Sequence, residues 1–251
     1  MNAAVSFKDV HKSFGSQKVL KGITLDFPEG KLSVLMGLSG SGKSVMLKHI
    51  LRLLQPDQGS VSIFGRDLAS ISAGEMRELL KELGMVFQHS ALFDSLTTGE
   101  NVAFPLRENT KMSETEIHEK SENMLRLVGL RDVYGKFPAD LSGGMQKRVG
   151  LARALVSDPK IILFDEPTTG LDPIMSAVIE DLILETHAKI GYTGIIITHS
   201  VETALKVGSQ IALLVAGQIR ALGTPDDIQH SEDAAVRQFL AKSPEGPIEV
   251  L

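Results

Sequence analysis

The chain has 251 residues, 43% of them hydrophobic and 23% charged, which is typical of a folded globular protein and excludes a disordered one. A net charge of -5 and an aromatic content of 5%, with no Trp, argue against binding to nucleic acid by bulk charge or by base stacking. The absence of Cys excludes disulfides, thiol catalysis and Cys-based zinc sites. No apolar run approaches the ~18 residues that span a bilayer, and no signal peptide is expected.

The first third of the chain predicts three strands followed by a helix. Val5–Lys8 and Ile23–Phe27 alternate apolar and polar side chains, as half-buried strands do. Lys31–Met36 becomes wholly apolar, which predicts a strand that is buried on both faces. Apolar residues at helical spacing then occupy Val45–Leu54, which predicts a helix that continues through Leu54 and is ended by the turn at Pro56.

The middle of the chain changes to charged amphipathic helices, predicted at Ser72–Leu83 and Ser113–Leu127, and the second begins with a capping box, Ser113-Glu114-Thr115-Glu116. Short apolar strands return at Ile161–Asp165 and Gly194–Thr198, with a helix between them. This order predicts a mixed α/β domain over residues 1–242, with a helical subdomain inserted at about residues 89–158.

The predicted domain is followed by a short tail, residues 243–251. Pro244 and Pro247 prevent it from extending the preceding helix, and it ends in the apolar residues Ile248, Val250 and Leu251. A polar sequence would be expected of an ordinary disordered terminus. We therefore expect the tail to contact a neighbouring chain, with packing against its own core as the alternative.

The pattern Gly37-x-x-x-x-Gly42-Lys43-Ser44 links the buried strand to the first helix. In such a P-loop, glycines let successive backbone N–H groups point at phosphate oxygens, and the N-terminal end of the helix favours an anion. Lys43 suits the β and γ phosphates, and the Ser44 hydroxyl suits magnesium. The predicted nucleotide-binding loop comprises Gly37, Leu38, Ser39, Gly40, Ser41, Gly42, Lys43, Ser44 and Val45.

Two adjacent carboxylates, Asp165 and Glu166, stand at the end of the strand Ile161–Asp165. Open α/β sheets bind their ligands at this end of the strands. Because side chains alternate along a strand, the two carboxylates point in different directions and cannot share one role. Asp165 suits the magnesium shell, and Glu166 suits the polarisation of an attacking water.

A second anion site is predicted at Leu141–Arg148, before a helix that runs to about Ser157. Ser142 occupies the N-cap position, and Gly143 and Gly144 leave backbone N–H groups free. One P-loop already surrounds a triphosphate from its own side. A second helix end of this kind therefore indicates a nucleotide held by a partner subunit, and an ordinary capped helix is the alternative.

In this order, and over nearly the whole chain, these motifs resemble the ATP-binding cassette (ABC) ATPase family. The resemblance implies an α/β P-loop NTPase fold of the ABC type, a RecA-like mixed-sheet core with an antiparallel β portion and an inserted helical subdomain. It also implies ATP and Mg²⁺ as cofactors, and ATP hydrolysis coupled to transport in a dimer of two copies of the chain.

The same resemblance assigns roles to single residues. Ser142, Gly143, Gly144 and Met145 match the signature motif, which closes over the ATP of the other subunit. The further implied roles are magnesium contact for Gln88, γ-phosphate contact for His199, a contact across the dimer for Asp172 and adenine stacking for Phe14. The implied catalytic set is Lys43, Gln88, Glu166 and His199.

Within the family, His89–Thr97, Glu100–Glu108 and Val236–Leu240 are similar to the Mla-type, MCE-associated phospholipid transport ATPases. This similarity implies a subunit on the cytoplasmic face of a Gram-negative inner membrane that powers phospholipid transport for outer-membrane lipid asymmetry. The implied partners are a membrane permease, an MCE lipid-binding protein and a small STAS-domain protein, and no nucleic acid.

Two alternatives remain open at this point. Met36–Ser44 and Leu141–Leu155 also resemble glycine betaine or proline importer ATPases. Such subunits commonly carry a C-terminal pair of CBS repeats, for which we expect no room in this chain. The second alternative is a soluble cassette that drives the assembly of a complex without transport.

Overall fold

The computed structural model describes residues 2–248. The strands are β1 (Ala3–Phe14), β2 (Gln17–Pro28), β3 (Leu32–Met36), β4 (Gln58–Ile63), β5 (Arg66–Asp67), β6 (Leu83–Val86), β7 (Ile161–Asp165), β8 (Thr193–Thr198), β9 (Gln210–Val215) and β10 (Gln218–Gly223). The helices are α1 (Lys43–Ile50), α2 (Ala73–Lys81), α3 (Thr98–Asn109), α4 (Glu114–Leu127), α5 (Gly143–Leu155), α6 (Pro173–Ile190), α7 (Val201–Val207), α8 (Pro225–Gln229) and α9 (Ala234–Ala241). Across residues 2–248, no helix combines the length and apolar character needed to cross a bilayer.

The chain forms two compact units. The first combines the chain up to Met76 with the chain from Thr193 onward, and the second comprises Arg77–Tyr192. The helical subdomain predicted at residues 89–158 falls within the second unit, and its boundaries stay a prediction.

The first unit contains an antiparallel sheet in the order β2-β1-β4-β5 and a second group of strands in the order β10-β9-β3-β8. In the second group, β3 runs parallel to both β8 and β9. Every residue of β3 is buried, which confirms the strand predicted to be covered on both faces. A continuous apolar run suits a strand between two parallel neighbours, because such strands are covered by other elements on each side.

The second unit contains the parallel pair β6 and β7 and the helices α3 to α6. The strand predicted at Ile161–Asp165 is confirmed residue for residue. Ser113 caps α4 and forms a reciprocal capping box with Glu116, as the sequence predicts. In contrast, α3 was not predicted, because Pro105 lies in its interior and proline usually breaks a helix.

Helix α1 ends earlier than the sequence predicts, at Ile50 and not at Leu54. Arg52 adopts a left-handed conformation with φ of 54°. The Arg52 N–H donates to His49 O and the Leu53 N–H donates to Lys48 O, which is the hydrogen-bond pattern of a Schellman motif. The expected end was wrong because apolar residues continue past the stop and Gly, the usual residue at this position, is replaced by Arg.

The described part of the C-terminal tail packs against α9 of its own chain. Ile248 is 7% exposed, its N–H donates to Gln238 Oε1 at 2.7 Å, and its carbonyl accepts from Gln238 Nε2 at 3.1 Å. Ile248 is therefore already covered by its own subunit. Val250 and Leu251 lie outside the described residues, and their contact with a neighbouring chain stays a prediction.

We expect Gln238→Leu to destabilise the protein, because both backbone polar groups of Ile248 would lose their partner while remaining buried. Leaving such groups unpaired costs about 1–3 kcal/mol, and each kcal/mol lowers the melting temperature of a protein of this size by roughly 2–4 °C. Calorimetric melting measures the effect. The matched control is Gln218→Leu at an exposed position, and equal melting of the two variants would contradict the packing of the tail.

Candidate functional site

The P-loop of the first unit is a tight turn between β3 and α1. Gly42 has φ of 112°, a conformation that disfavours residues with a side chain. A Cβ on Gly37 would lie 2.4 Å from Leu214 O, which only Gly avoids. Lys43 folds back over the loop, and its Nζ donates to Gly37 O at 2.7 Å and to Leu38 O at 2.8 Å. The loop therefore holds a lysine ammonium group above its own backbone.

The P-loop fits a phosphate ligand. The N-terminus of α1 has no side-chain cap and no acidic residue in its first turn, so the positive end of the helix favours an anion. Within the described chain, the buried Ser41 Oγ has no hydrogen-bond partner. Leu38, Ser39, Gly40 and Ser44 are exposed, and Val45 is half-buried. A buried hydroxyl without a hydrogen-bond partner, next to a helix end without a side-chain cap, is expected where a bound phosphate would supply the missing hydrogen bonds.

Two other predicted residues lie in the first unit. Phe14 ends β1 and is 46% exposed, which leaves much of its ring open to stacking. His199 follows β8 and is exposed. The next residue, Ser200, caps α7 by accepting from the Thr203 N–H at 3.1 Å. This cap fixes the chain direction immediately after His199.

The predicted carboxylates lie in the second unit, at the end of β7. Asp165 is the last residue of the strand, and Glu166 follows it with φ of 49°, so the chain turns sharply between the two side chains. Thr169 Oγ1 donates to Glu166 Oε2 at 3.1 Å. The turn and this bond orient the Glu166 carboxylate.

Two basic residues of α5 hold the segment that begins at Gln88, and sequence reasoning missed both. The buried Lys147 donates from Nζ to Gln88 O. Arg153 donates from Nη1 to Ala91 O at 2.7 Å and from Nη2 to Ser90 O at 2.6 Å. The signal that could have revealed them is a pair of cations, Lys147 and Arg153, in a helix whose buried residues are mostly apolar or glycine.

The environment of Lys147 also connects it to the carboxylates. Burial lowers the pKa of Lys147, while the charges of Glu166 and Asp165 act in the opposite direction. Burial likewise lowers the pKa of Arg153, which still remains charged because a guanidinium does not lose its proton in proteins. Helix α5 therefore places a buried cation beside the Gln88 backbone and in the field of both acids.

The N-terminus of α5 contains the predicted signature residues. Ser142 accepts from the Met145 N–H at 3.4 Å, which confirms the predicted N-cap. Ser142 and Gly143 are exposed, whereas Gly144 is buried. A Cβ on Gly144 would lie 2.3 Å from Met175 Cε, so the glycine permits close packing against α6. The exposed end of α5 leaves backbone N–H groups available to an anion.

Asp172 has a structural role that the sequence did not predict. Its Oδ1 accepts from the N–H groups of Ile174 and Met175, each at 2.9 Å, and so caps α6. The residue is exposed. The contact across a dimer that the family resemblance implies stays a prediction.

The geometry agrees with the comparison to known families. Residues 20–169 match the family model described as ABC transporter. The chain therefore belongs to the ABC transporter family. Within that family it is an ATPase that couples ATP hydrolysis to transport, and the ABC-type α/β fold implied by the sequence is confirmed.

Several known proteins resemble the chain over most of its length. It is 45% identical to the "Probable ribonucleotide transport ATP-binding protein mkl" of Mycobacterium leprae (99% of this chain, 72% of that protein). It is 40% identical to the Arabidopsis thaliana "Protein TRIGALACTOSYLDIACYLGLYCEROL 3, chloroplastic" (97% and 75%). It is 37% identical to the "Intermembrane phospholipid transport system ATP-binding protein MlaF" of Haemophilus influenzae (97% and 92%). Among solved structures, the dimeric ATP-binding cassette MJ0796 bound to ADP and Pi matches with a TM-score of 0.79 and 33% identity (88% and 98%).

Binding and hydrolysis should separate in two variants. Lys43→Ala removes the charge that opposes the β and γ phosphates and should greatly weaken MgATP binding. Glu166→Gln keeps the shape of the side chain but loses the group that polarises water. It should bind MgATP normally and hydrolyse it about 10²-fold to 10⁴-fold more slowly. Calorimetric affinity and steady-state turnover test both, and near wild-type turnover of Glu166→Gln would remove that residue from catalysis.

Proposed function

We propose that the chain is the ATP-hydrolysing subunit of a phospholipid transporter. The observation that carries the proposal is the similarity to MlaF, which extends over 97% of this chain and 92% of that protein. The similarity to a protein named after a galactolipid, trigalactosyldiacylglycerol, supports a lipid substrate as well. In this proposal the subunit lies peripherally on the cytoplasmic face of an inner membrane and serves outer-membrane lipid asymmetry.

The proposed chemistry gives one role to each of the predicted residues. The P-loop amides and Lys43 bind the β and γ phosphates, and His199 contacts the γ phosphate. Glu166 polarises the attacking water, a role that suits a carboxylate held by Thr169 in a turn. Phe14 stacks on the adenine.

The proposed magnesium ligands are the Ser44 hydroxyl, the Gln88 side-chain oxygen and the Asp165 carboxylate. Oxygen ligands of this kind suit magnesium, which takes few protein ligands and completes its shell with phosphate oxygens and water. When bound, the ion neutralises charge on the phosphates. Lys147, by holding the Gln88 carbonyl, would position one of these ligands.

A second copy of the chain would complete the site. Ser142 and Gly143 offer exposed N–H groups at the end of α5, and they would close over ATP bound by the partner together with Gly144 and Met145. Asp172 would contact the partner from the start of α6. The dimeric arrangement of a similar cassette bound to ADP and Pi supports this pairing.

The proposed permease contact is the loop that follows Gln88. Phe93 is 44% exposed and its ring lies 4.9 Å, between centroids, from that of Phe104, which is also exposed. Ala91 is exposed, and Leu92 and Leu96 are half-buried. Ala91 and Phe93 therefore present apolar surface to a partner, and packing inside the helical subdomain is the alternative explanation of this apolar character.

The loop is held in shape by one buried side chain. Asn101 Oδ1 accepts from the Phe93 N–H at 2.8 Å. Its Nδ2 donates to the carbonyls of Phe93, Leu96 and Thr97 at 3.0–3.1 Å. A preorganised loop with exposed aromatic rings suits a protein interface, because little ordering entropy is lost on binding.

Ribonucleotide transport is the second candidate, because the similar mycobacterial protein is named for it. The two candidates differ in the partners and in the substrate that stimulates hydrolysis. The tagged chain should be isolated from detergent-solubilised membranes, and its partners identified by mass spectrometry. A permease, an MCE lipid-binding protein and a STAS-domain protein are expected, with ATPase activity that rises with added phospholipid. Stimulation by ribonucleotides alone, without an MCE protein, would overturn the proposal in favour of the second candidate.

Replacing Phe93 should uncouple the subunit from its permease while sparing ATP hydrolysis. Phe93→Asp places a charge in the aromatic pair and should weaken complex formation by roughly 30-fold or more, the effect of losing a 2 kcal/mol contact. ATP affinity of the isolated subunit should stay within about twofold, since a surface substitution away from the site has little effect on stability. Co-purification and calorimetry measure the two quantities.

The matched control for this change is Leu53→Asp, at an exposed apolar residue of the first unit. It should leave the complex intact. Equal loss of the complex in both variants, or failure of the isolated Phe93→Asp subunit to fold, would argue against a docking role for the aromatic pair.

A further inference from the structure

We infer that Asp57 and Lys12 act as positioning residues for the base of the bound nucleotide by fixing Phe14. This inference rests on the proposed stacking of adenine on Phe14. Asp57 belongs to neither the P-loop nor any motif that the sequence singled out, and it lies between α1 and β4.

The Asp57 carboxylate holds the end of β1 with both of its oxygens. Oδ2 accepts from the Ser13 N–H at 2.7 Å, and Oδ1 accepts from Lys12 Nζ at 2.7 Å. The Asp57 N–H in turn donates to His11 O at 2.8 Å. Three hydrogen bonds therefore attach one residue to the three consecutive residues that precede Phe14.

Lys12 extends this attachment to the ring itself. Its Nζ lies 5.8 Å from the centroid of the Phe14 ring, within the range of a cation–π contact. The side chain of Lys12 is 15% exposed, whereas nearly half of Phe14 is open. The ammonium group is thus held between a carboxylate and an aromatic ring whose exposed surface can receive a base.

The attachment also joins the base site to the phosphate site through the chain. Asp57 follows α1, the helix that begins in the P-loop, after a short connection. The buried His49 of α1 donates from Nδ1 to Val45 O at 2.7 Å, and it lies close enough to Lys12 and Asp57 for their charges to act on it. One short segment therefore connects the helix that begins in the P-loop to the residue that holds the strand end before Phe14.

An ordinary surface ion pair would not have these properties. Exposed pairs contribute little because water screens them and both side chains stay mobile. Here the carboxylate also accepts from a backbone N–H, and the bond from Lys12 holds the pKa of Asp57 below its usual range, so the group is charged at neutral pH. Charge-assisted bonds to backbone groups fix a strand end better than a pair of free side chains does.

The test compares two ligands that differ only in whether they carry a base. Affinities for MgATP and for magnesium tripolyphosphate are measured by calorimetry on the full chain. The variants are Phe14→Ala, Asp57→Ala and the double variant. Glu78→Ala serves as the matched control, because it breaks the exposed pair with Lys81, which has the same 2.7 Å separation.

Phe14→Ala should weaken MgATP binding by roughly 5-fold to 150-fold, the range expected from loss of one stacked base. We expect Asp57→Ala to weaken it by about 3-fold to 10-fold, corresponding to roughly one hydrogen-bond contribution. Neither change should alter tripolyphosphate affinity by more than about twofold, the range in which a 0.5 kcal/mol surface effect falls. The double variant should bind MgATP no more weakly than Phe14→Ala, because Asp57 acts through that ring.

Each contrary result has a definite meaning. Unchanged MgATP affinity in Asp57→Ala, equal loss of tripolyphosphate affinity, or additive losses in the double variant would each overturn the inference. Unchanged affinity in Phe14→Ala would overturn it together with the stacking role of Phe14. Binding of MgATP that is insensitive to Lys43→Ala would instead contradict the proposed phosphate site.

A milder variant covers the case in which Asp57→Ala disturbs folding. Lys12→Met keeps the alkyl chain against the ring and removes only the charge. It should melt like the wild type and still lower MgATP affinity selectively. A Lys12→Met variant that binds both ligands like the wild type would leave Lys12 without a positioning role and overturn the inference in its stated form.

Discussion

The pairing of β3 with two parallel neighbours is the constraint on which the nucleotide-binding loop depends. Because β8 and β9 run parallel to β3 on either side, the carboxyl end of β3 is fixed in direction and depth. The chain turns directly after β3. At this turn Leu214 O lies so close to Gly37 that a side chain would not fit. The turn that results leaves the N-terminus of α1 without a side-chain cap, so the positive end of the helix favours an anion. A phosphate-binding loop is thus the local consequence of a buried parallel strand that stops abruptly.

Much of this arrangement can be predicted from the sequence, because the P-loop depends on residues close together in the chain. Gly37, Gly42 and Lys43 have a fixed spacing, and the apolar run before them and the helical spacing after them are local patterns. The strand before Asp165 and the caps at Ser113 and Ser142 were predictable for the same reason.

The features that escaped prediction are set by distant contacts or by local exceptions. Lys147 and Arg153 bond to backbone carbonyls about 60 positions away in sequence, and carbonyls carry no side-chain signature. The end of α1 was misplaced because Arg52 takes a conformation usually reserved for Gly. Helix α3 was missed because it tolerates an internal Pro. None of these follows from composition or periodicity.

Helix α5 has three functional positions along its length. Its first residue is preceded by the exposed cap Ser142, its middle places Lys147 against Gln88, and its last turn places Arg153 against the following loop. One helix therefore connects the exposed cap with the segment from Gln88 to Ala91.

That segment is not relaxed. Ser90 and Ala91 are consecutive residues with φ of 58° and 45°, and neither is glycine. Each residue in this left-handed conformation raises the free energy of the folded chain by roughly 1–2 kcal/mol. The two hydrogen bonds from Arg153 offset part of this cost. The segment beside the exposed aromatic pair is therefore strained, and Arg153 is one of several residues that hold it in place. Loss of the guanidinium contacts would remove two bonds that offset this strain, and the backbone next to the surface that carries Phe93 would then favour an ordinary conformation.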